Sequence, residues 1–137
     1  MDNLSLSEIS FAVSHKPDGK KLSWIGFDAC LMCTAEVAAA VSPHAHYMIA
    51  SQETEPASGW DYSFLSGIAE DADGAATGKR IIDSYFRSLE GTKDTLTLSC
   101  IDLEKTDMLL HELDQFFQPV ADRMDPEIGR ASCRERV

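Results

Sequence analysis

The residues best suited to chemistry lie together in Asp28-Ala29-Cys30-Leu31-Met32-Cys33. Cys30 follows a short, mainly apolar run, Leu22 to Phe27, and opens a stretch rich in Ala, Leu and Met. A strand leading straight into a helix is where an open α/β sheet carries its ligands, outside the carboxyl ends of the strands. A thiol at a helix N-terminus also meets unpaired N–H groups that favour the nucleophilic thiolate. The competing reading of Cys30 is a small buried hydrophobe, a frequent role of free cysteine. Asp28, two residues earlier on extended chain, reaches the same cleft. Its carboxylate repels a thiolate and makes the empty site sluggish, whereas an incoming Arg or Lys neutralises it through charge-assisted hydrogen bonds. The alternative role for Asp28 is to cap the next helix.

A thiol that attacks a carbonyl needs a base to take its proton and return it to the leaving amine. Of the four histidines, His15 lies in a Ser14-His15-Lys16 loop just ahead of the Cys30 strand. His44 and His46 follow the nucleophile and suit a helix end and a strand start, and His111 falls mid-helix. Cys30 and Cys33 also form a C-x-x-C at a helix start, the pattern of thiol redox sites. The small or proline residues usual between such cysteines are absent, and Asp28 opposes the thiolate they use. A zinc site would require two more ligands; His44-Ala45-His46 is at hand, but its spacing matches no finger. No Asp/Asn/Gly loop has the form of a calcium motif. The expectation is no metal and no cofactor.

These residues need elements to hold them. Leu4 to Val13 reads as a helix with Ser5 or Ser7 as cap, and Pro17-Asp18-Gly19 as a turn. Leu22 to Phe27 is a short strand suited to burial on both faces. Cys30 to Val41 reads as a buried helix ended by Ser42-Pro43, and His46 to Ala50 as a second strand. Ser51 to Tyr62 is polar and turn-rich, and its Trp60-Asp61-Tyr62 is expected to form a binding wall. Ala72 to Gly78 reads as a mobile surface loop. Ile81, Ile82, Tyr85, Phe86 and Leu89 form a helical stripe. Thr95 to Cys100 alternates as a third strand. Asp102 caps a last helix whose core face is Leu109, Leu113, Phe116, Phe117 and Val120. This alternation predicts an α/β domain with a mainly parallel sheet flanked by helices.

The 137 residues amount to one domain or less. A formal charge of −11 repels phosphate backbones, so nucleic acid is not an expected partner. No run approaches the roughly 18–20 apolar residues of a membrane span, and Met1-Asp2-Asn3 lacks the basic start of a signal peptide. The four cysteines form no recognisable disulfide scaffold, which favours reduced or reactive thiols.

The segment Ile25-Gly26-Phe27-Asp28-Ala29-Cys30-Leu31-Met32, followed by Glu36-Val37-Ala38, resembles the nucleophile segment of the clostripain family, cysteine peptidases of the caspase-like fold. The resemblance continues through Tyr47-Met48-Ile49-Ala50-Ser51-Gln52-Glu53, Glu55-Pro56 and Gly59-Trp60-Asp61-Tyr62, and is weaker through Val120. It implies a partial caspase-like sandwich with Cys30 as nucleophile and the Cys30 N–H as one oxyanion donor. Asp28 then receives a basic P1 side chain of a peptide or protein substrate, in a pocket bordered by Ser51, Gln52, Glu53 and Trp60. In the family the base is a histidine in a His-Gly pair on the strand before the nucleophile strand, and no His-Gly occurs in this chain. The expectation is a fragment whose Met1 is an internal methionine or a misplaced start. Its natural partner is then the remainder of its own peptidase domain, and its parent a secreted or cell-envelope bacterial protein. A caspase-like domain that only binds peptide is the non-enzymatic alternative.

Ile128 to Val137 differs from the rest, with three arginines against one glutamate and no apolar periodicity. Its net +2 leaves residues 1–127 at −13. It back-translates without strain to ATC GGA AGA GCG TCG TGT AGG GAA AGA GTG, which resembles a short-read sequencing adapter. Residues 1–127 are therefore expected to be a partial peptidase domain and 128–137 a non-native tail, in which Cys133 has no meaning.

Overall fold

The computed structural model describes residues 4–16, 18–68, 72–93 and 95–123. Helix α1, Leu6–Ser14, starts on Ser5, whose hydroxyl accepts from the Glu8 amide while Glu8 reaches back to the Ser5 amide. Strand β1, Leu22–Gly26, pairs in parallel with β2, Ala45–Ala50, in the register Trp24 to Tyr47 and Gly26 to Ile49. Helix α2, Ala35–Val41, joins them and is capped by Thr34. Cys30 is therefore not at a helix N-terminus, as the sequence led us to expect. Leu31 takes a left-handed φ of 61°, which breaks the helical path, and the helix starts only after Thr34.

Helix α3, Gly74–Ser88, lies on the opposite face of the sheet. The small residues expected to form a mobile loop instead form its first turn from Gly74 onward. A Cβ on Gly74 would stand 2.4 Å from the Ser23 carbonyl oxygen, and one on Gly78 2.4 Å from Cys100 Sγ. Small side chains here let the helix backbone settle on the strands; residues 69–71, which precede this stretch, are outside the described set.

Strand β3, Ser99–Asp102, pairs with β2 in an antiparallel sense. A mainly parallel sheet thus describes β1 and β2 but not β3. Helix α3 starts beside Tyr47 and passes Ile49, so it climbs in the direction of β2, and the next strand must descend. The strand is also shorter than the predicted Thr95–Cys100, because β2 ends at Ala50 opposite Ser99 and leaves Thr95 to Leu98 without a ladder partner.

Side chains alternate through the sheet: Met48 joins Val37, Ala38, Val41 and Leu103 on one face, and Ile49 joins Trp60, Phe64, Ile81 and Tyr85 on the other. Each fully buried large aliphatic side chain of this kind contributes about 1.5–3 kcal/mol. These elements form one compact unit ending at Thr106. A second unit from Asp107 holds nearly all of helix α4, Thr106–Ala121. Its expected core face is not buried: Leu109, Phe116, Phe117 and Val120 are exposed and Leu113 is half-buried. The tail, 128–137, lies outside the described residues. Among the described residues no helix is long and apolar enough to cross a membrane.

Candidate active site

The β1–β2 pairing carries on past the sheet. Phe27 donates its amide to the Ile49 carbonyl, Cys33 to that of Ser51 and Leu31 to that of Glu53. The Cys30 turn is thereby pinned over the segment that leaves β2, at the carboxyl end of the parallel pair. Cys30 is exposed, and its Sγ accepts the Glu55 amide at 3.2 Å. Cys33 is half-buried against the α1–α2 core, and burial pushes its thiol above the usual range. This favours a packing role over a redox partner, which would need an easily ionised thiol.

Asp28 is exposed beside Cys30 and does not cap α2. Its Oδ2 accepts two bonds, from the Trp60 amide at 3.1 Å and the Tyr62 hydroxyl at 2.9 Å. The approach is made by a Pro56–Gly59 turn closed by a 2.9 Å amide–carbonyl bond. Gly59 has φ +65°, and a Cβ there would fall 2.7 Å from Asp28 Oδ2. The turn brings Tyr62, at the start of a short 3-10 helix over Tyr62–Gly67, onto the carboxylate.

Trp60 does not form an exposed wall. It is 6% exposed and its ring lies against Gly26, where a Cβ would come within 2.9 Å. Its Nε1 donates to Glu55 Oε1 at 3.3 Å. The large apolar ring is drawn into the core, while Tyr62, with a polar tip, stays outside. Ser51 is fully buried, with its hydroxyl between Thr97 Oγ1 and Glu53. Gln52 and Glu53 are exposed; Gln52 Nε2 donates to Ser99 Oγ, and the Glu53 amide is held by Thr97. Glu53 through Ala57, with Thr95, line an open cavity of about 530 Å³.

Glu55 was given no role in the sequence, although an acid followed by Pro56 and Gly59 marks a loop that folds back. It sits at the centre of this arrangement. Its carboxyl is raised to about 7, first by burial and then by its hydrogen bond with Asp28, with repulsion from Asp28 adding and the Trp60 bond opposing. Its Oε2 is buried and meets no donor among the described residues. Burial, followed by Asp28 and Glu55, likewise raises Tyr62.

The histidines gather elsewhere. His44 Nε2 pairs with Ser10 Oγ, and the His44 carbonyl accepts both the Leu22 amide and Lys16 Nζ. His15, next to Lys16, bonds to the Phe11 carbonyl, and His46 pairs with Glu104. All three belong to the end where β1 and β2 begin. Roughly 17 Å of extended strand separates His46 from Ser51. His111, in the second unit, pairs with Gln115. Among the described residues no group of three or more His, Cys, Asp and Glu could hold a metal ion.

Fold and site thus define an α/β protein that presents an exposed thiol, beside a carboxylate, at the carboxyl edge of a parallel strand pair. The model of the clostripain family matches residues 1–133, and the chain belongs to that family. The match runs six residues into the tail set apart above. No curated protein sequence matches. Solved structures do. A secreted C11 cysteine protease from Bacteroides thetaiotaomicron in complex with an irreversible peptide inhibitor gives a TM-score of 0.68 at 20% identity, covering 85% of this chain and 35% of that one. A clostripain from the same organism, in complex with the peptide inhibitor BTN-VLTK-AOMK, gives 0.64 at 22%, covering 94% and 55%. An inactive zymogen C11 protease from Parabacteroides distasonis gives 0.61 at 26%, covering 77% and 28%. The expected caspase-like α/β architecture is the fold of these proteases. The chain spans between 28% and 55% of their lengths.

Proposed function

We propose that Cys30 is the nucleophile of a cysteine endopeptidase that cleaves after Arg or Lys. The base is a histidine in the remainder of the peptidase domain, outside this chain. The observation that carries the reading is the Asp28 carboxylate, exposed beside the Cys30 thiol with Oδ2 fixed by the Trp60 amide and the Tyr62 hydroxyl. The histidine takes the Cys30 thiol proton as sulfur attacks the scissile carbonyl. The C–N bond breaks as the amine takes that proton and leaves a thioester, and water hydrolyses the thioester to an acid and the free thiol. The Leu31 and Cys33 amides are engaged by carbonyls, which supports the Cys30 N–H as the oxyanion donor.

A cation beside Asp28 neutralises its charge, and a guanidinium does so with two parallel bonds, so Arg is favoured over Lys. The peptide of one family neighbour's inhibitor, VLTK, ends on lysine, in keeping with a basic P1 residue. Gln52 and Glu53 border the pocket from the solvent side, while Ser51 and Trp60 support it from beneath. A secreted neighbour supports an extracytoplasmic parent. The place of the histidines supports a chain that is inactive by itself.

The test is an assay of the longer parent with paired Arg and Gln substrates, alongside the 137-residue chain. The parent should cleave after Arg and lose turnover in Cys30→Ala and Arg preference in Asp28→Ala. Equal rates on Arg and Gln, or Cys30-dependent turnover by the isolated chain, would overturn the corresponding part of the reading.

A further inference from the structure

Glu55 touches each part of the site at once. Its amide donates to Cys30 Sγ, its Oε1 accepts the Trp60 indole, and its carboxyl hydrogen-bonds with that of Asp28. Two carboxylates cannot share a hydrogen bond without a proton between them. Oε2 is buried and no donor among the described residues reaches it, so a proton on Glu55 is what lets this pair form. The groups facing Glu55 are Asp28 and Cys30 from the turn after β1 and Tyr62 from the 3-10 helix, and Glu53 lines the same cavity; the neighbouring Trp60 and Thr95 do not titrate. None of these is a cation.

We propose that Glu55 is a positioning residue: in the empty site it shares a proton with Asp28, and it releases that proton when a cationic side chain arrives. This rests on the reading of Asp28 as receptor for a basic P1 group. In the exchange, the Glu55 O–H bond breaks, the proton passes to solvent, and the guanidinium or ammonium takes its place beside the two carboxylates. The proton preserves the Asp28–Glu55–Trp60 arrangement without substrate. Because Glu55 also bonds to the Cys30 sulfur, occupancy of the pocket is communicated to the nucleophile through one residue.

The 137-residue chain tests this without turnover. The ¹⁵N–¹H signal of the Trp60 indole, isolated in a Trp24→Phe background, is followed against pH, with agmatine as a guanidinium probe. The signal should move with a midpoint of about 7. Glu55→Gln keeps an acceptor for the indole and a permanent donor for Asp28, so the step near neutrality should vanish in a folded protein. Asp28→Asn should lower the midpoint. Saturating agmatine should lower it by about one unit or more, as an adjacent opposite charge does. A wild-type midpoint near 4.5, or a step retained in Glu55→Gln, would overturn the shared proton while leaving the basic-P1 reading intact. Agmatine without effect on a step that Glu55→Gln abolishes would overturn the cation exchange and the basic-P1 reading, but not the shared proton.

Discussion

The hydroxyl of Tyr62 and the carboxylate of Asp28 are joined by a 2.9 Å hydrogen bond across 34 residues of chain. Together with the Trp60 amide, the bond fixes Oδ2 of an exposed acid, and it ties the aromatic loop to the Cys30 turn. Tyr62→Phe removes one donor to a charged group and leaves the ring. On Arg substrates, the longer parent should lose about 1 kcal/mol in kcat/KM, roughly fivefold, with most of the change in KM. An unchanged KM would show that this bond does not orient Asp28 for substrate.

Gly59 meets two constraints, a positive φ and a Cβ position 2.7 Å from Asp28 Oδ2. Gly59→Ala should cost about 1–2 kcal/mol from backbone strain, with more added by displacement of the carboxylate. Urea denaturation of the isolated chain measures it; a loss under about 0.5 kcal/mol would mean the turn relaxes freely.

Leu31, left-handed and with its side chain largely in solvent, carries strain directly after Cys30. Leu31→Gly should be neutral or stabilising by up to about 1 kcal/mol, as relief of strain offsets the looser unfolded chain. Leu31→Val, with a β-branched side chain, should cost about 1–2 kcal/mol. Equal stability of the two variants would refute strain at this position.

Glu55 gives the fold a pH dependence of known sign. Its folded value is raised from 4.5 to about 7, so its contribution to stability is fully present below the unfolded value and is lost as pH rises through about 7. The Tm of the wild-type chain should therefore fall across this window, and Glu55→Gln should flatten that fall. Thermal melts at matched ionic strength decide it; identical slopes in the two proteins would exclude Glu55 as the source.

For the tail, we propose that Ile128 to Val137 does not belong to the natural protein. Deleting it should leave the Tm of the chain unchanged, and resequencing of the source locus should show a different reading frame after Glu127. A genomic frame encoding the same ten residues would dispose of the proposal.

The sequence made the position of Cys30 just after the first strand legible because a short apolar run, an acid and a thiol follow each other within nine residues, Leu22 to Cys30. It also indicated β1, β2, α1 and the α3 stripe, each encoded by local periodicity or a cap. It overextended the helix after Cys30, because Ala, Leu and Met favour helix while a single left-handed Leu31 decides where it begins. The glycines of α3 read as a loop for the same reason: propensity weighs a glycine against the helix, and only the sheet beneath shows why a small residue is needed there.

By itself, then, the sequence determined the family, the α/β alternation and the Asp28–Cys30 pair, all carried by residues close in the chain. Tertiary structure decided which residues meet them. It buried Trp60 and left Tyr62 on Asp28, placed Glu55 against both Cys30 and Asp28, and gathered His15, His44 and His46 at the far end of the strands. Those relationships span 25 or more residues, and they depend on how one loop folds back over another and which side chains the core admits. No periodicity or spacing along the chain encodes that choice; competition for burial in the folded protein makes it.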